Sequence, residues 1–218
     1  MDVYLISYTP NPDYICEIAA AKCTGKTPNE KYTHFSKAQM NHHDSIMEHA
    51  TFTFGIDGVS SVLLSHLTRH RFFSFSVTSE RYSECIEDYI TPPSIYNITN
   101  AYPEYYQAIK SAYKAYKNLV SLGIPMEDAR FVLPKANCYS LIATANIREL
   151  NHFFALRICE CAQWEIKDLA NKMMKICKDK APFAFRFSGP SCRQFGYCPE
   201  HKNNCPRRVL EVKTNENI

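Results

Sequence analysis

Between Arg69 and Tyr82 the chain sets three arginines, one histidine, four Ser or Thr residues and four aromatic rings into fourteen positions. Arginine presents a planar fork of donors that grips phosphate oxygens in pairs and stays charged at any physiological pH. Arg69 and Arg71 flank His70, and Ser74, Ser76, Thr78 and Ser79 follow closely. That is the chemistry of a nucleotide site, or of a place where two phosphorylated ligands meet. Two other readings fit the same residues. Arg and His at a helix end complement the helix dipole without binding anything, and arginines among aromatic rings can grip and stack single-stranded nucleic acid. Ser79 suggests a nucleophile, but no base of the kind a serine nucleophile needs stands near it, so its expected role is binding.

A second group lies in the tail, where Cys192, Cys198, His201 and Cys205 offer ligand types that suit tetrahedral zinc. Their spacing lacks the paired Cys-x2-Cys knuckles of common zinc modules. The favoured reading is therefore three thiols and a surface histidine in a Pro-rich tail, with no metal. A metal bound there would be structural, because four protein ligands leave no open position. Cys16, Cys23, Cys85, Cys138, Cys159, Cys161 and Cys177 read as reduced thiols packed as small apolar side chains.

The elements that must carry these residues come from periodicity and punctuation. A strand is expected over 3–9, ending at Pro10-Asn11-Pro12, then a short helix through 21 capped by Asp13 with Ile15, Ile18 and Ala19 on one face. Residues 25–31 read as a polar loop, 37–46 as helix and loop, and 50–57 as a strand by their period-two alternation. Over 60–71 a helical stripe of Val62, Leu63, His66 and Leu67 runs into the basic cluster. The clearest helix spans 103–122, with Tyr106, Ile109, Tyr113, Tyr116 and Val120 on one stripe, Pro103 at its start and Gly123 past its end. A short segment over 126–130 stops at Pro134, and a last long helix, with room for a break, is expected over 139–177. Helices and short strands without strict βαβ alternation make an α+β fold.

Composition bounds the rest. The 218 residues are 45% hydrophobic and 22% charged, with a formal charge of +3. These values suit one globular domain and lack the large clustered basic excess of a nucleic-acid binder. No apolar run reaches bilayer-spanning length, and the start Met1-Asp2-Val3-Tyr4 lacks a signal peptide's basic flank, so a cytoplasmic protein with no membrane partner is expected. The expected organisation is a domain over 1–185 with a Cys/Pro-rich tail of the same domain over 186–218.

Arg69-His70-Arg71, seven residues and then Ser79 resembles the signature of the flavin-dependent thymidylate synthases, and Arg81-Tyr82 continues it. The resemblance runs nearly the whole length. It takes in Tyr8-Thr9-Pro10, His43-Asp44-Ser45, Glu48-His49, Phe52-Thr53-Phe54, Gly58-Val59-Ser60 and Ala129-Arg130-Phe131-Val132-Leu133-Pro134. It continues through Asn146-Ile147-Arg148-Glu149-Leu150, His152-Phe153, Leu156-Arg157 and Ala162-Gln163-Trp164-Glu165-Ile166. Matches in the right order along the chain are far more specific than one short motif.

The resemblance implies a mostly antiparallel sheet packed against long helices, assembled as a homotetramer with no nucleic-acid partner. It implies reductive methylation of dUMP to dTMP with FAD as cofactor, and 5,10-methylenetetrahydrofolate and NADPH as co-substrates. Ser45, Arg69, His70, Arg71, Phe72, Asn146, Arg148 and His152 match its FAD-contacting positions. Arg69, Ser79, Glu80, Arg81, Arg130 and Arg157 match its dUMP-binding positions, His66 stands at a position from which it could also donate to the nucleotide or be a satisfied helix histidine, and Arg157 also matches the catalytic arginine that favours ionisation at N3 of uracil. The chain departs from the pattern at Ser76-Val77, where Asn followed by Glu or Gln is frequent, at His66, where Gln is usual, and at Ser61, where Arg is common. These departures leave two alternatives open: a related flavin enzyme acting on another pyrimidine nucleotide such as UMP, and a non-catalytic nucleic-acid-binding protein.

Overall fold

The computed structural model describes residues 1–202 and 204–206, so residues 203 and 207–218 of the expected tail lie outside the described residues. In chain order the elements are β1 (Asp2–Tyr8), α1 (Pro12–Cys23), α2 (Thr33–Met40), β2 (Thr51–Ser60), α3 (Ser61–Leu67), β3 (Ser74–Val77) and α4 (Pro93–Tyr96). There follow α5 (Ala101–Ser121), α6 (Met126–Ala129), β4 (Cys138–Asn146), α7 (Ile147–Arg157), α8 (Trp164–Lys180) and α9 (Ser191–Phe195), with 3-10 turns at Asp44–His49 and Arg130–Val132. The strands form one antiparallel sheet in the order β1-β2-β4-β3, an α+β fold. The chain divides into two compact units. The first holds Met1–Asp2, Ile56–Arg69 and Phe75–Ile142, and the second Val3–Gly55, His70–Ser74 and Ala143–Ile218.

The first unit is built on α5. Ile109, Tyr113 and Tyr116 are buried with Cys85 and Ala129, and Leu119, Val120 and Leu133 pack around them. The expected stripe holds, and Gly123 at φ +84° takes the left-handed turn past the helix end that side chains resist. Ser60 caps α3, its Oγ accepting the Leu63 N–H at 3.1 Å, so this helix begins one residue later than expected and ends at Leu67, before the basic cluster.

The second unit has an aromatic core. Phe52 stacks near Phe54 (6.3 Å between ring centroids) and meets Phe185 edge-on at 5.8 Å, while Phe154 meets Phe185 at 5.9 Å. Helix α1 departs from expectation in which face it buries. Asn11, not Asp13, is the N-cap, and the fully buried side chains include Cys16, Glu17, Ala20 and Ala21 while Ile15, Ile18 and Ala19 are half-buried. The reason is that Asp13 and Glu17 have backbone work to do inside. Asp13 accepts the Phe183 and Ala184 N–H groups at 3.1 and 2.8 Å, and Glu17 accepts the Phe35 N–H at 2.7 Å and Asn29 N–H at 3.2 Å. Burial pushes the Asp13 carboxyl up, against those two bonds.

The expected helix over 139–177 is three elements. Leu141, Ala143 and Ala145 are buried and their neighbours less so, the alternation of a strand. The chain then turns at Asn146, whose Oδ1 accepts the Glu149 N–H at 2.9 Å and caps α7. After Arg157 the chain breaks until Gln163, whose Oε1 accepts from Glu165 and Ile166 at 2.9 and 3.0 Å and opens α8. Helix α2 begins at Thr33, before the expected start at 37. All ten cysteines are thiols, and two of those expected to be packed, Cys23 and Cys161, are exposed.

Candidate active site

Six of the seven positions expected to bind dUMP fall in the first unit: His66, Arg69, Ser79, Glu80, Arg81 and Arg130. Glu127 at the start of α6 gathers two of them. Its carboxylate pairs with Arg81 Nε at 2.7 Å, and its backbone carbonyl accepts Arg130 Nε at 3.0 Å. Two guanidinium groups are thereby tethered to one residue, an arrangement suited to a phosphate. The pair with Arg81 is about half exposed on both sides and contributes geometry more than stability.

Behind them Glu80 is locked. Its Oε1 accepts from Asn137 Nδ2 at 2.7 Å and from the Tyr139 hydroxyl at 2.6 Å, while Asn137 Oδ1 accepts from the Tyr113 hydroxyl at 2.6 Å. Desolvation, with the Glu80 carboxylate adding to it, raises the Tyr139 hydroxyl to about 12, so it stays a donor. Ser79, Glu80, Asn137 and Tyr139 line a cavity of about 270 Å³. Thr78 holds the strand beside it through its N–H and hydroxyl, both on the Ser140 carbonyl at 2.9 and 3.0 Å. Asn137 and Tyr139 were not among the expected residues. Sequence alone placed Tyr139 at the start of a helix, where it would not have met Glu80.

The second unit holds Ser45, His70, Arg71, Phe72, Asn146, Arg148, His152 and Arg157. Here one histidine organises the chemistry. His70 is only 5% exposed, wedged edge-on against Phe153 at 5.0 Å and Phe73 at 6.0 Å. Its Nε2 accepts from Arg157 Nε at 3.0 Å, which fixes the proton on Nδ1, 3.3 Å from Glu149 Oε1. Desolvation first, then the Arg157 and His152 charges, lowers its pKa to about 4, so His70 is neutral and its contact with Glu149 is a hydrogen bond rather than an ion pair. Burial also raises the Glu149 carboxyl. The order Arg157, His70, Glu149 is thus a relay of orientation: Glu149 sets the imidazole, and the imidazole sets the plane of the guanidinium.

The other side chains of this set face outward. Ser45, Arg71, Phe72, Arg148 and His152 are exposed, with Phe72 at 79%, and Arg148 pairs with Glu48. Asn146 spends its Oδ1 on the cap of α7. Glu149, next to the exposed Arg148, is buried. The signal that finds it is the stripe Leu150, Phe153 and Phe154, which passes through position 149 at helical spacing.

In the tail, Cys192, Cys198 and Cys205 line one cavity, but His201 is exposed at φ +50° and does not. Among the described residues no three His, Cys, Asp or Glu side chains converge on one point as a ligand set.

Comparison with known proteins bears on the whole chain. A family model described as Thy1, thymidylate synthase complementing protein, matches residues 4–183. The chain is 38% identical over 226 residues to the flavin-dependent thymidylate synthase of Geobacter sulfurreducens, covering 98% of this chain and 97% of that one. It is 37% identical to the enzyme of the same name from Clostridium tetani, covering 97% and 95%. Among solved structures it resembles a UMP/dUMP methylase from Streptomyces cacaoi bound with 5-Br dUMP, with a TM-score of 0.76 and 25% identity over 86% of this chain and 95% of that one.

Proposed function

Because this chain belongs to the Thy1 family and is a flavin-dependent thymidylate synthase, we propose that it converts dUMP to dTMP with 5,10-methylenetetrahydrofolate as carbon donor and NADPH as reductant. The observation that carries the mechanism is the buried His70, neutral and fixed between Glu149 and Arg157. A cation held in place beside a ring that develops negative charge lowers the energy of that charge without reorganising. Arg157 is assigned that role at N3 of uracil, with His70 and Glu149 as the groups that position it. Arg81 and Arg130, tethered by Glu127, are assigned to the phosphate of dUMP, with Arg69, His66, Ser79 and Glu80 completing its site.

The residues assigned to FAD fit it by their donor chemistry. Arg71, Arg148 and Arg69 are cations for a diphosphate, Ser45, Asn146 and His152 are polar groups, and Phe72 offers an exposed flat face to a planar ring. FAD, when bound, supplies the hydride and mediates the one-carbon transfer. A homotetrameric assembly is supported by apolar surface on the edge strand β1, where Tyr4 and Ile6 are 51% and 48% exposed. A cytoplasmic location remains the assigned one; no helix among the described residues is long and apolar enough to cross a membrane.

Action on UMP is the second reading, favoured by the likeness to a UMP/dUMP methylase and by the departures at His66 and Ser76-Val77. Parallel assays of dUMP and UMP with FAD, folate donor and NADPH separate the two. dTMP formation with dUMP preferred supports the thymidylate reading, and methylation of UMP at equal or higher efficiency overturns it.

A further inference from the structure

Glu80 is tied to the first unit through one oxygen only. Its Oε1 takes both the Asn137 amide and the Tyr139 hydroxyl, while among the described residues its Oε2 accepts no hydrogen bond and forms no ion pair. Arg81, the next residue, turns away to Glu127. A second layer of side chains stands behind the two donors. An ionised carboxylate only accepts, so the Asn137 amide must turn its nitrogen to Glu80 and its oxygen inward. There Oδ1 lies 3.1 Å from the Cys85 thiol and 2.6 Å from the Tyr113 hydroxyl, which also reaches the Asp88 carbonyl at 2.7 Å. Asn137 is 2% exposed, and its backbone is held as firmly as its side chain. Its N–H donates to the Pro134 carbonyl at 2.9 Å and the residue bridges antiparallel to Tyr89. On either side of that bridge the Ile90 N–H donates to the Ala136 carbonyl at 2.9 Å and the Cys138 N–H to the Asp88 carbonyl at 3.0 Å.

We propose that Asn137 and Tyr139 are positioning residues for nucleotide binding, acting through Glu80, and that Glu80 Oε2 is the atom they present to the substrate. This rests on the assignment of Glu80 to the dUMP site and extends it to the residues that aim it. Two donors on one carboxylate oxygen fix the plane of the group and the direction of the other oxygen. A glutamate ordered in advance does not lose its rotamer freedom when the ligand arrives. Both donors are neutral, so they orient the carboxylate without cancelling its charge. The Tyr139 phenol keeps its proton, because burial first and the bond to Glu80 second hold it up at about 12. The chemistry of the wall says what Oε2 receives. Glu84 and Asp88 line the same cavity, and no lysine or arginine does. An acidic wall disfavours a phosphate and favours a donor, so the group that meets Oε2 belongs to the nucleoside.

The test measures binding to the full-length protein with FAD added, using dUMP and, as a probe without the nucleoside, inorganic phosphate. Tyr139→Phe removes one oxygen and keeps the ring. It should weaken dUMP binding roughly 3- to 10-fold, the effect of about one ordinary hydrogen bond. KM for dUMP should rise by a similar factor with kcat little changed, and phosphate binding should stay as in the wild type. In a Glu80→Ala background the same change should add little, because the residue it acts through is gone. Asn137→Asp supplies a readout that a merely structural role would not move. It sets a second carboxylate against Glu80, and two carboxylates that close together share a proton. The ratio of its dUMP Kd to that of the wild type should therefore be large at high pH and fall as the pH is lowered. Since Asn137→Asp can fail to fold, Tyr139→Phe carries the test without it. Tyr139→Phe with wild-type affinity for dUMP overturns the proposal, as does an equal loss of phosphate binding or a full further loss in Glu80→Ala. A folded Asn137→Asp whose ratio to the wild type is flat with pH overturns it as well. Wild-type protein that binds no dUMP overturns the functional reading itself, whereas binding by the wild type with both variants unaffected overturns only the positioning role.

Discussion

His70 and Glu149 carry the most physical information per residue in the candidate site. An imidazole at 5% exposure that accepts from an arginine has no inducement to take a proton, and its pKa falls to about 4 from 6.5. The linkage has a definite sign. The unfolded chain takes up a proton near pH 6.5 that the folded state refuses until about 4. The contribution of neutral His70 to stability is therefore complete above 6.5 and is lost as pH falls through that window. Melting temperature followed from neutral pH down to that lower value should fall, and His70→Gln should show a shallower fall over the same range. Arg157→Ala should lower kcat by roughly 10²–10³-fold, the usual loss on removing one preorganised donor to a developing anion, with a smaller change in KM for dUMP. An equal rise in KM with kcat unchanged would assign Arg157 to uniform binding instead. The residue types here were legible from sequence, but their division of labour was not. Arg148 and Glu149 are adjacent, and the packing of α7 leaves one exposed and the other buried.

At the scale of elements, caps and alternation decide what the sequence reveals. Strands β1 and β2 and helix α5 stand near their expected positions because their periodicity is strong and their ends carry turn residues. Strand β4 was hidden. Its interior Ala143 and Ala145 are good helix formers, and Leu141, Ile142 and Ala145 also suit a helical stripe, so local preference pointed to a helix. Pairing with its neighbours in the sheet overrode that preference. The clue was Asn146, a cap residue in the middle of the supposed helix. Caps can be weighed directly. Ser60 is 3% exposed and its Oγ serves the first turn of α3. Ser60→Ala should cost about 1 kcal/mol, within a range of roughly 0.5–2, measured by urea denaturation with an unchanged m-value. A loss below a few tenths would mean that the helix start is held by packing alone. The helix sits immediately before Arg69, so the same variant should raise KM for dUMP modestly.

For the whole molecule, family and reaction were legible because matches in fixed order span the chain from Tyr8 to Ile166, and similarity to curated relatives covers 98% of it. Two kinds of fact were not legible. One is which side chains face each other across sequence distance, such as Glu80 with Asn137 and Tyr139, because a hydrogen bond between residues far apart leaves no local pattern. The other is that Cys159 and Cys161 line one cavity with Cys192, Cys198 and Cys205, which the spacing within 192–205 alone could not disclose. The proposed reaction is reductive methylation of dUMP at a site whose arginine is fixed by a neutral histidine. Its most direct test is dTMP formation by purified protein supplied with FAD, NADPH, methylenetetrahydrofolate and dUMP, read by chromatography of the nucleotide products. The wild type should form dTMP in dependence on added or bound flavin, and Arg157→Ala should form it roughly 10²-fold or more slowly. Protein that binds FAD and dUMP yet makes no dTMP, or an Arg157→Ala variant as fast as the wild type, would contradict it.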